Sequence, residues 1–553
     1  MTELRAHDPV ARVIEYHQRS KHHLNRYARS PGALDWVTQP DPFRRYEGAP
    51  RVVLALPPEP APGDPPAWGE LFTGAGAPAP LSGAEISRLL YASLALSAWK
   101  QAGASRWSLR VNPSSGDLHP TEGYLFLPAL EGVSATAGLW HYEVYGHALE
   151  RRTPIPEAVW AGLTAGLPAG GFLVGLSSIA WRESWKYGER ALRYCHLDVG
   201  HALGALALSA AVARWRVRRL EGLPGRALSL LLGLQGQGGP EAEHADLLLW
   251  VGPAGRGAPT CPFQPPPEVL GFFEQAPWSG RPNRLSPGHR DWPVIEEIAR
   301  TVEDPGQAAC GPSPEVSPAR GGPPRSDGPS ARHLIRGRRS AVAMDGVTGM
   351  DAEAFYRLLS ALLPALGPEP CAALGWAPEV ALALFVHRVE GLAPGVYLLP
   401  RAADHESALR GALRQDFAWT RPRGCPASLP LRLLEEGDAR QAAAVISCHQ
   451  DIAADGAFSL GMLARLGVVG ERGAWWYPRL YWECGLIGQQ LYLEAEAAGL
   501  RGTGIGCFFD EAMHGLLGLE GTQWQDLYHF TVGGPVDDPR IQTLPPYAHR
   551  LGP

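Results

Sequence analysis

The chain has 553 residues, too many for one hydrophobic core, since single cores stop growing at roughly 250–300 residues. Its 50 basic and 56 acidic residues give a formal charge of -6, and without a polybasic stripe no nucleic-acid partner is expected. The eight cysteines are scattered with no C-x-x-C pair, which points to reduced thiols and a cytoplasmic protein rather than a disulfide framework or a zinc site.

In chain order, residues 1–80 show little periodicity and read as an extended N-terminal arm; the opening MTELRAHDPVARVIEYHQ is too charged for a signal peptide. A first α/β unit follows over residues 81–300. It opens with a helix near 84–90 and carries the polar segment 110–122 (RVNPSSGDLHPTE) before a strand at 124–127. Leu192, Cys195, Val199, Leu203, Leu206 and Ala210 step by three and four residues, the stripe of a core-facing helix. That helix is too short to be a membrane span, so no membrane partner is expected. Residues 301–333, rich in Pro, Gly and Ser, read as a linker. The second unit, 334–553, opens on Arg336-Gly-Arg338-Arg339-Ser340 and holds helices near 352–359 and 480–498, a glycine-rich turn, and a strand at 528–532.

The two units match each other. Residues 214–236 align on 499–521 without a gap and both close on Leu-Gly-Leu-x-Gly; upstream, Gly200 falls on Gly485, and downstream 247–253 falls on 528–535. The chain reads as two copies of one unit. Within that register Gly504-Ile505-Gly506 faces Arg219-Leu220-Glu221, so close approach of backbone to a ligand is open to only one copy. One copy is expected to have lost a site.

Two candidate binding segments survive, one in each copy. In the first, Arg110 and the Pro113-Ser114-Ser115-Gly116 turn offer a fixed backbone, hydroxyls, amides and a glycine where a flat heteroaromatic edge can approach. In the second, Arg338, Arg339 and Ser340 form a phosphate cradle, with Arg540 as a further cation. His196 and His201 are five apart on a helix, which does not place both on one face as the four-residue spacing of a metal pair would, so no metal is expected.

Tyr16-His-x-x-Ser-Lys-His, Leu34-Asp-Trp-x-x-Gln-Pro-Asp-Pro-Phe, the Pro-Ser-Ser-Gly turn, Trp185-Lys-Tyr-Gly-Glu-Arg and Gly-Thr-Gly-Ile-Gly together resemble the SagB-type dehydrogenase branch of the nitroreductase family. The resemblance implies an α+β fold of two tandem units, each a mainly antiparallel sheet flanked by helices, forming a fused pseudo-dimer. It implies FMN at the interface, held by Arg338, Arg339, Ser340, Gly504, Ile505, Gly506 and Arg540 from one half and Arg110, Pro113, Ser114, Ser115 and Gly116 from the other. With the losses described above, one flavin site is expected per chain. Lys186 and Tyr187 fall where azoline-oxidising relatives carry a Lys-Tyr pair that removes a proton as hydride leaves. The expected substrate is a small molecule or a modified peptide, and the electron partner O2 or NAD(P)H. Reduction of a nitroaromatic, quinone or enone, or an inactive scaffold role in a peptide-modifying complex, are the alternatives.

Overall fold

The computed structural model describes residues 8–72, 76–308, 328–364 and 369–550. Five helices position the site: α1 (Pro9–Arg19), α2 (Ala180–Tyr187), α3 (Ala191–Val212), α4 (Tyr477–Ala497) and α5 (Asp510–Leu517). The longer strands of the first half are β1 (Arg51–Val53), β2 (Leu96–Ala102), β3 (Ser105–Arg110), β4 (Thr121–Leu127), β5 (Gly138–Glu143), β6 (Ala148–Pro154), β7 (Phe172–Ile179), β8 (Trp215–Arg219) and β9 (Glu243–Pro253). The second half adds β10 (Val380–Val386), β11 (Gly395–Leu399), β12 (Arg432–Glu436), β13 (Phe458–Ala464), β14 (Arg501–Ile505), β15 (Gln525–Gly533) and β16 (Gln542–Leu544).

The first half builds a seven-stranded sheet in the order β1-β6-β5-β4-β7-β9-β8, and the second a six-stranded sheet in the order β12-β11-β10-β13-β15-β14. Every pairing in both sheets is antiparallel. In each half the helix, edge strand, short helix and long strand follow one another as the repeat requires.

Helices α3 and α4 are buried along nearly their whole length, their charged residues such as Arg193, Asp198, Arg479 and Glu483 included, because they pack against each other in the shared core. Their crossing point is two glycines. A Cβ on Gly200 would meet the Trp482 carbonyl and lie 2.9 Å from the Gly485 Cα, while a Cβ on Gly485 would meet the Leu197 carbonyl and lie 2.9 Å from the Gly200 Cα. Gly200 aligns on Gly485, and in the same register Leu197 aligns on Trp482. Each contact is therefore made twice with the halves exchanged, the reciprocity of a two-fold interface.

Both ends of the chain cross between the halves. Helix α1 is capped by Asp8, which accepts from the Val10 amide at 3.0 Å, and Pro9 occupies its first turn. Its His17 bridges Tyr477 Oη at 3.3 Å and Gln525 Oε1 at 3.1 Å, both in the second half. At the other end β16 joins the β2–β3 hairpin of the first half. Residues 1–80, expected as an extended arm, thus contribute a helix and an edge strand, because apolar Val13 and Tyr16 on α1 are buried in the shared core. Of the expected linker, residues 309–327 lie outside the described residues; its flanks are ordered as the helices Pro293–Thr301 and Ala331–Gly337.

Two further expectations need correction. The Gly504 segment is a strand, not a turn: β14 pairs with β15 through Gly502↔Val532 and Gly504↔Phe530, and its missing side chains leave room for the rings of Phe530 and Tyr528. Cys261 is disulfide-bonded, whereas Cys195, Cys371, Cys425, Cys448, Cys484 and Cys507 are free thiols. Among the described residues, the one stretch long and apolar enough to cross a membrane, Ala180–Val212, has an apolar window that is 94% buried within the protein.

Candidate functional site

A cavity of about 450 Å³ opens where the two halves meet, within the roughly 300–1,000 Å³ range of small-molecule pockets. Its cations come from four segments: Lys100 on β2, Arg110 at the end of β3, Arg338 and Arg339 just past the Ala331–Gly337 helix, and Arg501 at the start of β14. Pro113 and Ser340 also line it, facing Asp537 and Asp538.

Tyr492 on α4 organises the cationic end. Its hydroxyl meets Ser340 Oγ at 2.8 Å and accepts from the Gly504 amide at 3.0 Å, and its ring lies 4.8 Å from the Arg338 guanidinium. Arg338 is buried, donates to the Arg110 carbonyl at 3.2 Å, and leaves its Nε without a hydrogen-bond partner. Burial lowers the Arg338 pKa; burial and the neighbouring guanidiniums of Arg338 and Arg336 push Arg339 down to about 9. Crowded, desolvated cations with an unused donor form an arrangement that a bound anion relieves. Arg110 contributes its backbone more than its charge, because its guanidinium is taken by the carbonyls of Thr121 at 3.0 Å and Pro42 at 2.6 Å.

Arg540 does not join this set. Its side chain is 86% exposed and pairs with Asp538 at 2.6 Å, so the nearby carboxylate draws it outward. Arg501, missed in the sequence, lines the cavity instead and pairs with Asp537 at 2.9 Å; its place directly before Gly-Thr-Gly was the available signal.

Beside the cavity, the Pro113–Gly116 turn meets the Lys-Tyr pair. Gly116 has φ 63°, and a Cβ there would lie 2.6 Å from the Tyr187 hydroxyl and 2.8 Å from Lys186 Nζ, so only glycine serves on both counts. Ser114 Oγ accepts from the His119 amide at 2.8 Å, and the Ser115 amide donates to Asp198 at 3.4 Å. Among the described residues Lys186 has no ion pair; Glu189, one neighbouring candidate, is held by Arg19 and Arg29. The Tyr187 ring lies 4.5 Å from that of Tyr194, whose hydroxyl donates to the Gly506 carbonyl at 3.1 Å. A line of contacts therefore runs from Gly116 through Lys186, Tyr187 and Tyr194 to Gly506. Ile505 turns the other way, into the core of the second half.

Under the turn, Glu183 and Asp198 are buried, and burial raises both carboxyl pKa values. Asp198 is pushed up to about 8, and Glu183 is held well above the usual carboxylate range by burial and by the nearby Asp198. His119 faces away, toward the Ser108 carbonyl at 3.0 Å. No group of three or more His, Cys, Asp or Glu among the described residues has the arrangement of a metal site.

The counterpart positions in the other copy are filled. Arg219 pairs with Glu221, donates to the Leu374 carbonyl at 3.2 Å, and lies 5.0 Å from the Trp376 ring. Arg479, in register with Tyr194, stacks 3.7 Å from Trp475 and reaches Asp304 at 2.7 Å.

No protein-family model and no curated protein matches the chain. Solved structures do. The crystal structure of a protein assigned as a nitroreductase from Anabaena variabilis superposes with a TM-score of 0.66 at 22% identity, covering 95% of this chain and 99% of that one. A protein so assigned from Ralstonia eutropha matches 40% of this chain and 97% of its own, with a TM-score of 0.27 at 17% identity. The E. coli microcin synthetase McbBCD complex with truncated pro-MccB17 bound matches over 32% of this chain and 64% of that one, with a TM-score of 0.25 at 20% identity. The first superposition defines the class: a nitroreductase-type α+β fold. Because that match covers 95% of the chain, both sheets take part in it.

Proposed function

We propose that the chain is an FMN-dependent oxidoreductase, built as a fused pseudo-dimer of units at 81–300 and 334–553, with one flavin site shared between them. The observation that carries this reading is the asymmetry of the two faces: the cation-lined cavity and the Pro-Ser-Ser-Gly turn meet on one, and side chains fill the other. The residues fit the cofactor. Arg338, Arg339 and Arg501 would hold its phosphate, with the unpartnered Arg338 Nε as a free donor. The backbone of 113–116 and of 504–506 would face its ring system. When bound, FMN supplies a two-electron hydride acceptor or donor.

The chain's own residues supply the proton chemistry. Lys186 Nζ, half-buried and without an ion pair among the described residues, removes a proton from the substrate, and the Tyr187 hydroxyl beside it stabilises the charge that develops. This favours dehydrogenation of an azoline in a modified peptide, with O2 taking up the electrons. Lys186→Ala should keep its flavin and lose turnover by about 100-fold or more, the scale of general-base catalysis; unchanged turnover on a proven substrate would sink the role.

Released flavin counted per chain tests the whole reading. About one FMN per chain is expected. Two would show that the filled face also binds, and none after reconstitution would favour a scaffold subunit. Rapid bleaching of the flavin by NAD(P)H would favour the alternative of nitro, quinone or enone reduction.

A further inference from the structure

Next to Gly506 the second half carries a pair of cysteines that the flavin reading does not use. The Cys448 and Cys507 sulfurs are hydrogen-bonded at 2.9 Å, against a disulfide bond length of about 2.05 Å, and both thiols are free and half-buried. The two segments are clamped together on either side of the pair. The Phe509 amide donates to the Ile446 carbonyl at 2.7 Å, and Gln450 Nε2 donates to the Cys507 carbonyl at 3.0 Å.

Backbone strain marks the same spot. Cys448 and His449 have φ values of 56° and 59°, a left-handed conformation that costs a non-glycine residue about 1–2 kcal/mol. The His449 ring, 5.5 Å from Phe509, holds that loop down.

The surroundings distinguish the two sulfurs. His22 Nδ1 accepts from the Ala28 amide at 2.9 Å, which leaves the proton on Nε2. Hydrogen bonding from Cys448 and then from the His22 ring holds the Cys507 thiol below its ordinary range, while the same pairing pushes Cys448 up. Thiolate character so concentrated makes one sulfur the attacking group and the other the resolving group. In the first copy Gly222 stands in register with Cys507, so the pair belongs to one half only.

We propose that Cys448 and Cys507 form a thiol–disulfide exchange site for low-molecular-weight disulfides, with Cys507 as nucleophile. The Cys507 thiolate attacks one sulfur of a disulfide RSSR, forming a mixed disulfide and releasing one RSH after protonation. Cys448 then loses its proton and attacks Cys507 Sγ, closing the intramolecular disulfide and releasing the second RSH. The protein dithiol is oxidised by two electrons and the external disulfide is reduced to two thiols. The site stands independently of any flavin.

Full-length protein treated with glutathione disulfide and mapped by mass spectrometry tests this. Wild type should lose two hydrogens and yield a Cys448–Cys507 cross-linked peptide while Cys425, also partly exposed, stays a thiol. Cys448→Ser should accumulate a glutathione adduct on Cys507. Cys507→Ser should form neither, and iodoacetamide should alkylate wild-type Cys507 about tenfold faster than Cys425. The alkylation comparison uses the wild type alone, so it holds even if a serine variant folds poorly. Absence of the cross-link together with equal labelling of Cys507 and Cys425 would overturn the proposal.

Discussion

The two faces of the α3–α4 pair occupy equivalent positions and hold opposite contents. On one, Arg338, Arg339, Ser340 and Arg501 line a cavity of about 450 Å³, and Tyr492 ties Ser340 to the Gly504 amide beside it. On the other, Arg219, Glu221 and Arg479 stand in the same register, and the neighbouring cavity shrinks to about 100 Å³, below the usual small-molecule range of roughly 300 Å³ upward. The backbone frame is shared, down to the reciprocal packing of Gly200 and Gly485. Side chains alone separate the two: on the filled face Arg219 pairs with Glu221, donates to the Leu374 carbonyl and lies over Trp376, and Arg479 stacks on Trp475. Both faces keep buried guanidinium donors without a hydrogen-bond partner, Arg338 Nε on the open one and Arg479 Nε and Nη1 on the filled one, so what separates them is the room left beside those donors.

The sharpest way to break this comparison is to install the filled face's residues on the open one. Gly504→Arg with Gly506→Glu copies Arg219 and Glu221 into a place where any Cβ meets Tyr528 or Tyr194. Flavin retained after desalting should drop from about one per chain to none while the protein stays folded by circular dichroism; retained flavin would show that β14 does not border the ligand.

A smaller effect, on stability, comes from how the open face is held. Asp510 at the start of α5 pairs with Arg190 at 3.0 Å and Arg193 at 2.6 Å, and accepts from the His22 amide at 2.9 Å, joining both halves to the arm. Its counterpart in register is Gly225, so the filled face lacks this tie. Asp510→Ala strands two buried guanidiniums and should cost about 3–5 kcal/mol in urea unfolding at neutral pH. Arg190 and Arg193 hold the Asp510 carboxyl far below the usual carboxylate range. Its stabilisation is thus fully present above the unfolded value of about 3.9 and declines as pH falls toward the folded one. The gap between wild type and variant should narrow below about pH 4, and a constant gap would count against the ion pairs as its cause.

The sequence repeat made the architecture legible because Gly200 and Gly485 must both be small for the helices to touch. The Pro113–Gly116 turn, Arg338 and the Lys186-Tyr187 pair were legible by type, and they do come together. Other features depend on contacts distant in the chain. Glycine disfavours strands locally, so β14 follows only from its pairing with β15. Tyr194 reads as one more residue of a buried helix until Gly506 is seen beside it. Arg501 and Arg540 differ only in which aspartate captures them, and Cys261 gives no local sign of its disulfide.

That last contrast between two arginines supplies the finest test. Arg338 is buried with a free Nε, and Arg540 is exposed against Asp538, although the sequence alone assigns both to phosphate binding. Arg338→Ala removes charge-assisted hydrogen bonds worth about 1.5–3 kcal/mol and should weaken FMN by roughly 10- to 100-fold. Riboflavin, which has the ring but no phosphate, should bind the variant and the wild type equally well. Arg540→Ala should leave FMN affinity within about threefold, as expected for an exposed ion pair. Titration of apoprotein by flavin fluorescence quenching reads all five constants. If Arg540→Ala and Arg338→Ala weaken FMN equally, the C-terminal segment must close over the cavity when phosphate enters, and the open face is then completed by its ligand.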